Sequence, residues 1–157
     1  EIDYPNELFR LQFLFRYWNT IQYFYPYKYT IEKGWNHVLV KFIPLFAEAS
    51  NPVTYHLNMS ELVNSVNDSH SGFYDAIVKN ELAPFVMPMK TTMVENKLVV
   101  SSIKNDSLAN LYGLQIGDII EKINGEGVKQ IIKKKIHFVN GSNYPVKLAY
   151  MNAYDYI

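Results

Sequence analysis

The change of hydrophobic periodicity near residue 82 is the feature that most constrains the fold of this chain. Before it, apolar residues recur at the spacing of amphipathic helices. After it come short β-branched or apolar runs separated by turn residues. Helices followed by short strands indicate an α+β chain. We therefore place a domain boundary near residues 80–84, with a small helical bundle at 1–82 and a second domain at 83–157.

Three helices are predicted in the first part. Residues 6–25 carry an apolar stripe, with Asn6 as the N-cap, and the stripe consists of Leu8, Leu11, Phe15, Trp18 and Ile21. The second helix covers about 35–49, and Pro44 is expected to kink or split it. The third begins at Asn51, which acts as the cap before a first-turn proline. It stops in residues 67–69, since Asn, Asp and Ser compete for backbone hydrogen bonds.

Composition excludes several classes of function. The 157 residues include no cysteine, and 15 basic side chains balance 15 acidic ones. Disulfides and thiol nucleophiles are thereby excluded. A nucleic-acid partner is not expected, because phosphate binding needs a basic excess. We predict no transmembrane segment, since no apolar run is long enough. The chain starts at Glu1 and ends on apolar and aromatic residues, so we expect a piece of a longer protein, truncated within its second domain.

Short strands and turns are predicted in the second part. Strands are expected at 85–87 and 97–101, separated by the turn residues Glu95 and Asn96. A buried strand is expected over 119–123. It runs into the hairpin signal Asn124-Gly125 and then a helix over 128–138.

The string GLQIGDIIEKING, from Gly113 to Gly125, resembles the core signature of PDZ domains, Gly-Leu-x-x-Gly-Asp-x-Ile-x-x-Ile-Asn-Gly. The resemblance implies a PDZ-like, partly open β-barrel with short helices. Such a domain binds an extended peptide by adding it as a strand to a sheet edge. By that resemblance the groove strand is expected over Pro84 to Thr92, and the peptide-binding candidates are Phe85, Val86 and Met87. The alternative is that these residues belong to the core. The carboxylate-binding string Gly-Leu-Gly-Phe that is usual in PDZ domains is missing from the sequence.

A helical region that ends in Asp-x-His and precedes a PDZ-like module resembles the front of the tail-specific (C-terminal-processing) and tricorn-core serine peptidases. The resemblance covers nearly the whole chain, including FYPY at 24–27, NDSHSGFY at 67–74 and KLVVSSI at 97–103. It implies peptide or unfolded protein as substrate, a PDZ-like domain that binds this substrate or gates access to the site, and a periplasmic, cell-envelope or secreted location. It also implies a downstream catalytic domain that holds the serine nucleophile, so this chain alone should be inactive.

The resemblance gives Ser69 and His70 a catalytic role. In tricorn-like members a His of the helical region is the general base, and the Ser before it helps to orient the ring. Tail-specific members instead use a Ser-Lys dyad within the later core, and there the equivalent His is structural. A peptide-binding or scaffold protein without chemistry is the alternative, as is an inactive relative of the peptidases.

The remaining polar residues receive structural interpretations. Asp68 and Ser71 are interpreted as turn residues. No cofactor is expected, and metal-ligand spacing is lacking at the isolated histidines His37, His56 and His137.

Overall fold

The computed structural model describes residues 4–31 and 34–157. Its helices are α1 (Glu7–Phe24), α2 (Trp35–Ala47), α3 (Pro52–Asn64), α4 (Ala76–Leu82), α5 (Asp106–Tyr112), α6 (Val128–Lys135) and α7 (Tyr144–Ala153). Its strands are β1 (Met89–Val94), β2 (Lys97–Ile103), β3 (Ile119–Ile120), β4 (Lys122–Ile123) and β5 (Glu126–Gly127). Short 3-10 helices lie at Lys28–Thr30 and Ile136–Phe138. The predicted α+β class is confirmed.

Side-chain caps set where many of these helices begin. In each case the side-chain oxygen of the cap accepts a hydrogen bond from the backbone N–H three residues later, which would otherwise lack a partner. These caps are Asn6, Asn51, Asp75, Asn105 and Asn143. The predicted caps Asn6 and Asn51 are therefore confirmed.

The first hydrophobic core lies between α1, α2 and α3, around Leu14, Phe42 and Leu62. The buried residues of α1 are Arg10 and Leu14. Of the predicted stripe, Leu11, Trp18 and Ile21 pack against this core, but Leu8 and Phe15 are exposed. The stripe prediction is wrong at those two positions because apolar residues surround most of α1. Periodicity then leaves several faces equally suited to burial.

Helix α2 continues through Pro44, so the predicted split is wrong. Proline removes one N–H donor and thereby leaves the carbonyl group of Val40, four residues earlier, without its helical partner. The side chain of Val40 is exposed, so this side of the helix faces water. The lost hydrogen bond is thus on the exposed side of α2, away from the first core, and the helix continues to Ala47.

The last four carbonyl groups of α2 all have donors. The N–H of Glu48 reaches Pro44, and Nδ2 of Asn58 reaches Leu45. The guanidinium group of Arg10 supplies the other two, on Phe46 and Ala47. The helix end is thus satisfied from three different parts of the chain.

Strands β1, β2 and β3 form an antiparallel sheet in that order, which leaves β1 at one edge. The β1–β2 hairpin turns at Glu95 and Asn96, both of which have positive φ. Strands β4 and β5 form a separate antiparallel pair around Asn124 and Gly125, as predicted. Within the described residues the two sheets do not close into a barrel.

Two strand predictions fail. Residues 85–87 are not a strand, since β1 begins only at Met89. Pro84 and Pro88 flank the segment, and neither has the N–H group that a strand ladder needs. The buried strand predicted over 119–123 is divided into β3 and β4, which belong to different sheets, and Ile119 is exposed.

A second hydrophobic core lies around Leu98 of β2, Ile132 of α6 and Met151 of α7. The helix predicted over 128–138 is α6, and its last residues form the 3-10 helix. The two cores fall on either side of residue 83, and the division into two domains stays a prediction. Across the described residues, no helix has the length and apolar character needed to cross a membrane.

Candidate functional site

The turn after α3 holds the predicted histidine. Asn67 has a φ of 55° and reverses the chain. The Oδ1 atom of Asp68 then accepts a hydrogen bond from the backbone N–H of His70 at 2.8 Å, and Nδ1 of the His70 ring lies 3.1 Å from the same oxygen. The ring is 97% exposed. The carboxylate therefore holds Nδ1, and Nε2 faces solvent, which is the arrangement of a base oriented by an acid.

The aromatic loop after α1 contacts the same carboxylate. The hydroxyl group of Tyr25 donates to Oδ2 of Asp68 at 3.2 Å, across 43 residues of sequence. The pKa of Asp68 is lowered, chiefly because the backbone N–H of His70 donates to its carboxylate. The pKa of Tyr25 is raised, first by burial and then by the charge of Asp68. At neutral pH the uncharged hydroxyl group of Tyr25 thus donates to the charged carboxylate of Asp68.

Ser69 contacts a different part of the chain. Its hydroxyl lies 3.3 Å from Oγ of Ser142 and accepts the backbone N–H of that residue at 3.2 Å. Its backbone carbonyl accepts Nδ2 of the buried Asn140 at 2.9 Å. Asn67, at the start of this turn, also contacts α7, because its Oδ1 accepts a hydrogen bond from Nζ of Lys147 at 3.1 Å. The His70 turn is therefore tied to the segment that leads into α7.

A groove of about 790 Å³ separates the edge strand β1 from helix α7. Thr91 and Met93 line it from the strand, and Leu148, Ala149 and Asn152 line it from the helix. Oγ1 of Thr91 donates to Oδ1 of Asn152 at 2.9 Å across this groove. Its lining is mixed: apolar side chains such as Leu148 and Met93 lie beside polar and charged ones such as Lys90 and Asp155.

Strand β1 also directs unpaired backbone groups toward its open edge. The register pairs Val94 with Lys97 beside the turn and then Met93 with Leu98. In an antiparallel ladder, pairs that exchange both hydrogen bonds alternate with pairs that exchange none, and the pair beside a tight turn exchanges both. The N–H and C=O groups of Met93, and of Thr91 two residues earlier, therefore point away from β2. A further strand would bond to these groups.

The predicted peptide-binding residues lie elsewhere. Phe85 and Val86 are exposed in the loop before β1. Phe85 and Met87 line a cavity of about 290 Å³ beside α6, and the described lining of the β1–α7 groove includes neither. Their role stays a prediction. The sequence reasoning overlooked α7 as a groove wall, although its Asn-x-Pro start at residue 143 is a recognisable helix signal.

A smaller cavity of about 420 Å³ lies between residues 72–76 and the end of α7. Phe73, Tyr74, Tyr154 and Tyr156 give it an aromatic lining. The hydrogen bond from Tyr74, followed by burial, raises the pKa of Tyr154 to about 12. The hydroxyl of Tyr154 is therefore neutral at physiological pH.

The other histidines lie in different environments, since His37 and His137 are exposed and His56 is not. His56 is buried, with Nδ1 3.0 Å from the carboxylate of Asp75, the N-cap of α4. Partial burial lowers the pKa of His137. The described residues hold no group of three or more His, Asp or Glu side chains that could bind a metal ion.

Comparison with known proteins adds no assignment: no family model matches the chain, and no curated protein matches it.

Proposed function

We propose that this chain is the substrate-binding front part of a serine peptidase similar to the tail-specific and tricorn-core enzymes. In this proposal the second domain is PDZ-like and binds an extended stretch of peptide or unfolded protein. The helical domain supplies His70 as general base to a serine in a downstream catalytic domain. The sequence resemblance carries the proposed location in the periplasm or cell envelope.

The β1–α7 groove is the single observation that carries the proposal. An extended peptide laid along β1 would bond to the free backbone groups of Thr91 and Met93. Its alternate side chains would enter the space beside Leu148 and Ala149. Strand addition of this kind gives affinity through the main chain and selectivity through the pockets. Edge strands are normally protected, and β1 has a register shift between Lys90 and Thr91. Beyond that shift, toward Met93, no described strand covers the edge, which favours a binding role beside the groove.

The turn at residue 70 supports the catalytic half of the proposal. A serine hydroxyl attacks the scissile carbonyl carbon only when a base removes its proton. The solvent-facing Nε2 of His70 would accept that proton and later deliver it to the leaving amine. The acyl-enzyme that remains is then hydrolysed by water.

Peptide binding is tested on this chain itself, by fluorescence anisotropy with labelled ten-residue peptides of extended, apolar sequence. Each peptide is compared with a free carboxylate and with an amide at its C-terminus. Replacing the exposed Ala149 by Trp fills the groove, and we expect at least about tenfold weaker binding, equal to 1.4 kcal/mol. Gln130→Trp, on the exposed face of α6, is the matched control. Equal binding by both variants would show that the groove is not the site.

Catalysis is tested on the protein that includes the proposed downstream domain, with an unstructured protein as substrate. We expect His70→Ala to remove most of the turnover while the fold is retained. Cleavage at an unchanged rate would favour a Ser-Lys dyad and a structural role for His70. The chain alone should show no turnover.

A peptide-binding or scaffold protein without chemistry is the second candidate. The groove favours it directly, because strand addition to β1 does not involve the histidine ring. Groove-dependent binding together with a lack of cleavage by the longer protein would support this candidate over the peptidase.

A further inference from the structure

Outside the Ser-His pair, Asp68 contacts the candidate base directly, and Tyr25 contacts Asp68. Oδ1 of Asp68 receives both the backbone N–H and Nδ1 of His70, at 2.8 and 3.1 Å. The ring is thus bonded to the same atom as its own backbone, which limits its rotation. Oδ2 of Asp68 is held separately, by the hydroxyl group of Tyr25.

Tyr25 is itself anchored. It is the C-cap residue of α1, and its backbone N–H donates to the carbonyl group of Ile21. Its ring packs against the first hydrophobic core and meets Tyr27 edge to face, with 6.0 Å between ring centroids. The donor to Asp68 therefore comes from a supported position, while the histidine ring that depends on Asp68 is almost fully exposed.

We propose that Asp68 and Tyr25 are positioning residues for His70: Tyr25 orients the carboxylate of Asp68, and that carboxylate holds the neutral histidine ring in the tautomer with the proton on Nδ1. This inference rests on the proposed function for its catalytic meaning. It assigns to Asp68 and Tyr25 the orienting role that the sequence resemblance gave to Ser69. The hydroxyl of Ser69 is bonded to Ser142, so Ser69 fixes the turn to the segment before α7.

The tautomer decides whether His70 is usable as a base. A neutral imidazole accepts a proton only at the nitrogen that carries none. A proton on Nδ1, donated to Asp68, leaves the lone pair on the exposed Nε2. With the proton on Nε2, the free lone pair would face the carboxylate instead. Tyr25 strengthens the first arrangement because its hydroxyl keeps the carboxylate in place.

The test is the ring ¹⁵N spectrum of His70 in this chain, recorded in the pH range where a further rise no longer changes the spectrum, so that the ring is neutral. The chemical shifts of the two ring nitrogens report the tautomer ratio directly. We expect the Nδ1–H tautomer to dominate in the unmodified chain. Asp68→Ala should lower the ratio of Nδ1–H to Nε2–H by about two- to fivefold, the range of an exposed charged pair.

Two conservative variants complete the design. Tyr25→Phe removes only the hydroxyl donor and should change the ratio in the same direction by a smaller factor. Ser69→Ala should leave it unchanged. If Asp68→Ala does not fold, Tyr25→Phe still decides. An unchanged ratio in Tyr25→Phe, or a change in Ser69→Ala as large as that in Asp68→Ala, would overturn the inference.

The inference and the proposed function fail separately. The tautomer ratio is measured without any substrate, so it holds or fails whatever the longer protein cleaves. If the ratio responds as expected but His70→Ala in the longer protein leaves turnover intact, the positioning is real and the peptidase role of His70 is wrong. If His70→Ala abolishes turnover but the ratio does not respond to Asp68→Ala, another group orients the ring.

Discussion

Arg10 offers the sharpest test of what holds the helical part together. Its side chain is buried, yet it contacts no carboxylate within hydrogen-bonding distance in the described residues. Instead Nε donates to the carbonyl group of Phe46 at 2.8 Å, Nη2 to that of Ala47 at 2.7 Å, and Nη1 to that of Pro5 at 2.8 Å. The guanidinium carbon also lies 5.0 Å from the centre of the Tyr4 ring.

The cost of Arg10→Ala follows from these contacts. A hydrogen bond to a charged group contributes about 1.5–3 kcal/mol, but such values do not add when the bonds share one side chain. The carbonyl of Phe46 stays buried without a donor, whereas water reaches those of Ala47 and Pro5, which are partly exposed. We therefore expect the free energy of unfolding to fall by about 3–5 kcal/mol, with a Tm lower by about 10 °C.

Urea unfolding followed by circular dichroism measures this change, with the m-value checked for constancy. Arg10→Lys keeps the charge but replaces the branched guanidinium group by a single ammonium group. We therefore expect the free energy of unfolding to fall by about half as much as in Arg10→Ala. Arg16→Ala is the matched control, because Arg16 lies exposed on the same helix, and it should change stability by less than about 0.5 kcal/mol. A loss below about 1 kcal/mol for Arg10→Ala would refute the reasoning.

Three further predictions concern the turns and the junction between the two cores. Gly141→Ala should lower the free energy of unfolding by about 1–3 kcal/mol, because the φ of Gly141 is 153° and a Cβ there would lie 2.7 Å from a side-chain carbon of α7. Gly127→Ala is the control and should have little effect on the urea midpoint. The pKa of Asp68 is lowered, so its contribution to stability is present above about pH 4 and is lost as the pH falls below that value. When the Tm is measured between pH 5 and 2, the Asp68→Asn variant should therefore lose less stability with falling pH than the unmodified chain. Asn64→Ala should lower the free energy of unfolding by about 1–2 kcal/mol, since Nδ2 of this buried side chain donates to the carbonyl of Phe138 at 2.6 Å.

Each of these predictions has a contrary result. Equal midpoints for the two glycine variants would show that the loop at residue 141 adjusts without cost. If the Tm falls equally between pH 5 and 2 in Asp68→Asn and in the unmodified chain, the hydrogen bonds of the Asp68 carboxylate do not form in solution. An unchanged stability of Asn64→Ala would mean that the link between α3 and the 3-10 helix is replaced by water.

Much of the secondary structure could be predicted because its cause is local. An asparagine cap, a proline in the first turn, or the Asn-Gly pair at 124–125 acts within a few residues, so the sequence suffices. The same is true of Gly113, which ends α5 in the left-handed conformation that few other residues adopt. The turn at residues 67–69 after α3 belongs to this group as well.

The elements that prediction misplaced depend on distant neighbours. Pro88 accepts two backbone N–H groups from residues 104 and 105, which fixes the chain before β1 and starts the strand later than its apolar pattern suggests. The sequence predicts one strand over residues 119–123, yet β2 pairs with Ile119 and Ile120, and β5 pairs with Lys122 and Ile123. Pattern alone does not say which partner a strand will find.

The sequence by itself therefore determined the α+β class, most helix starts and tight turns, and the position of His70 in a polar turn. Only the tertiary structure decided which face of α1 is buried, that β1 and α7 enclose a groove, and that Tyr25 reaches Asp68 from 43 residues away. The physical reason is the range of the interactions. Caps and turns are set by hydrogen bonds between near neighbours. The groove and the contact between Tyr25 and Asp68 exist only once packing has brought separate segments together.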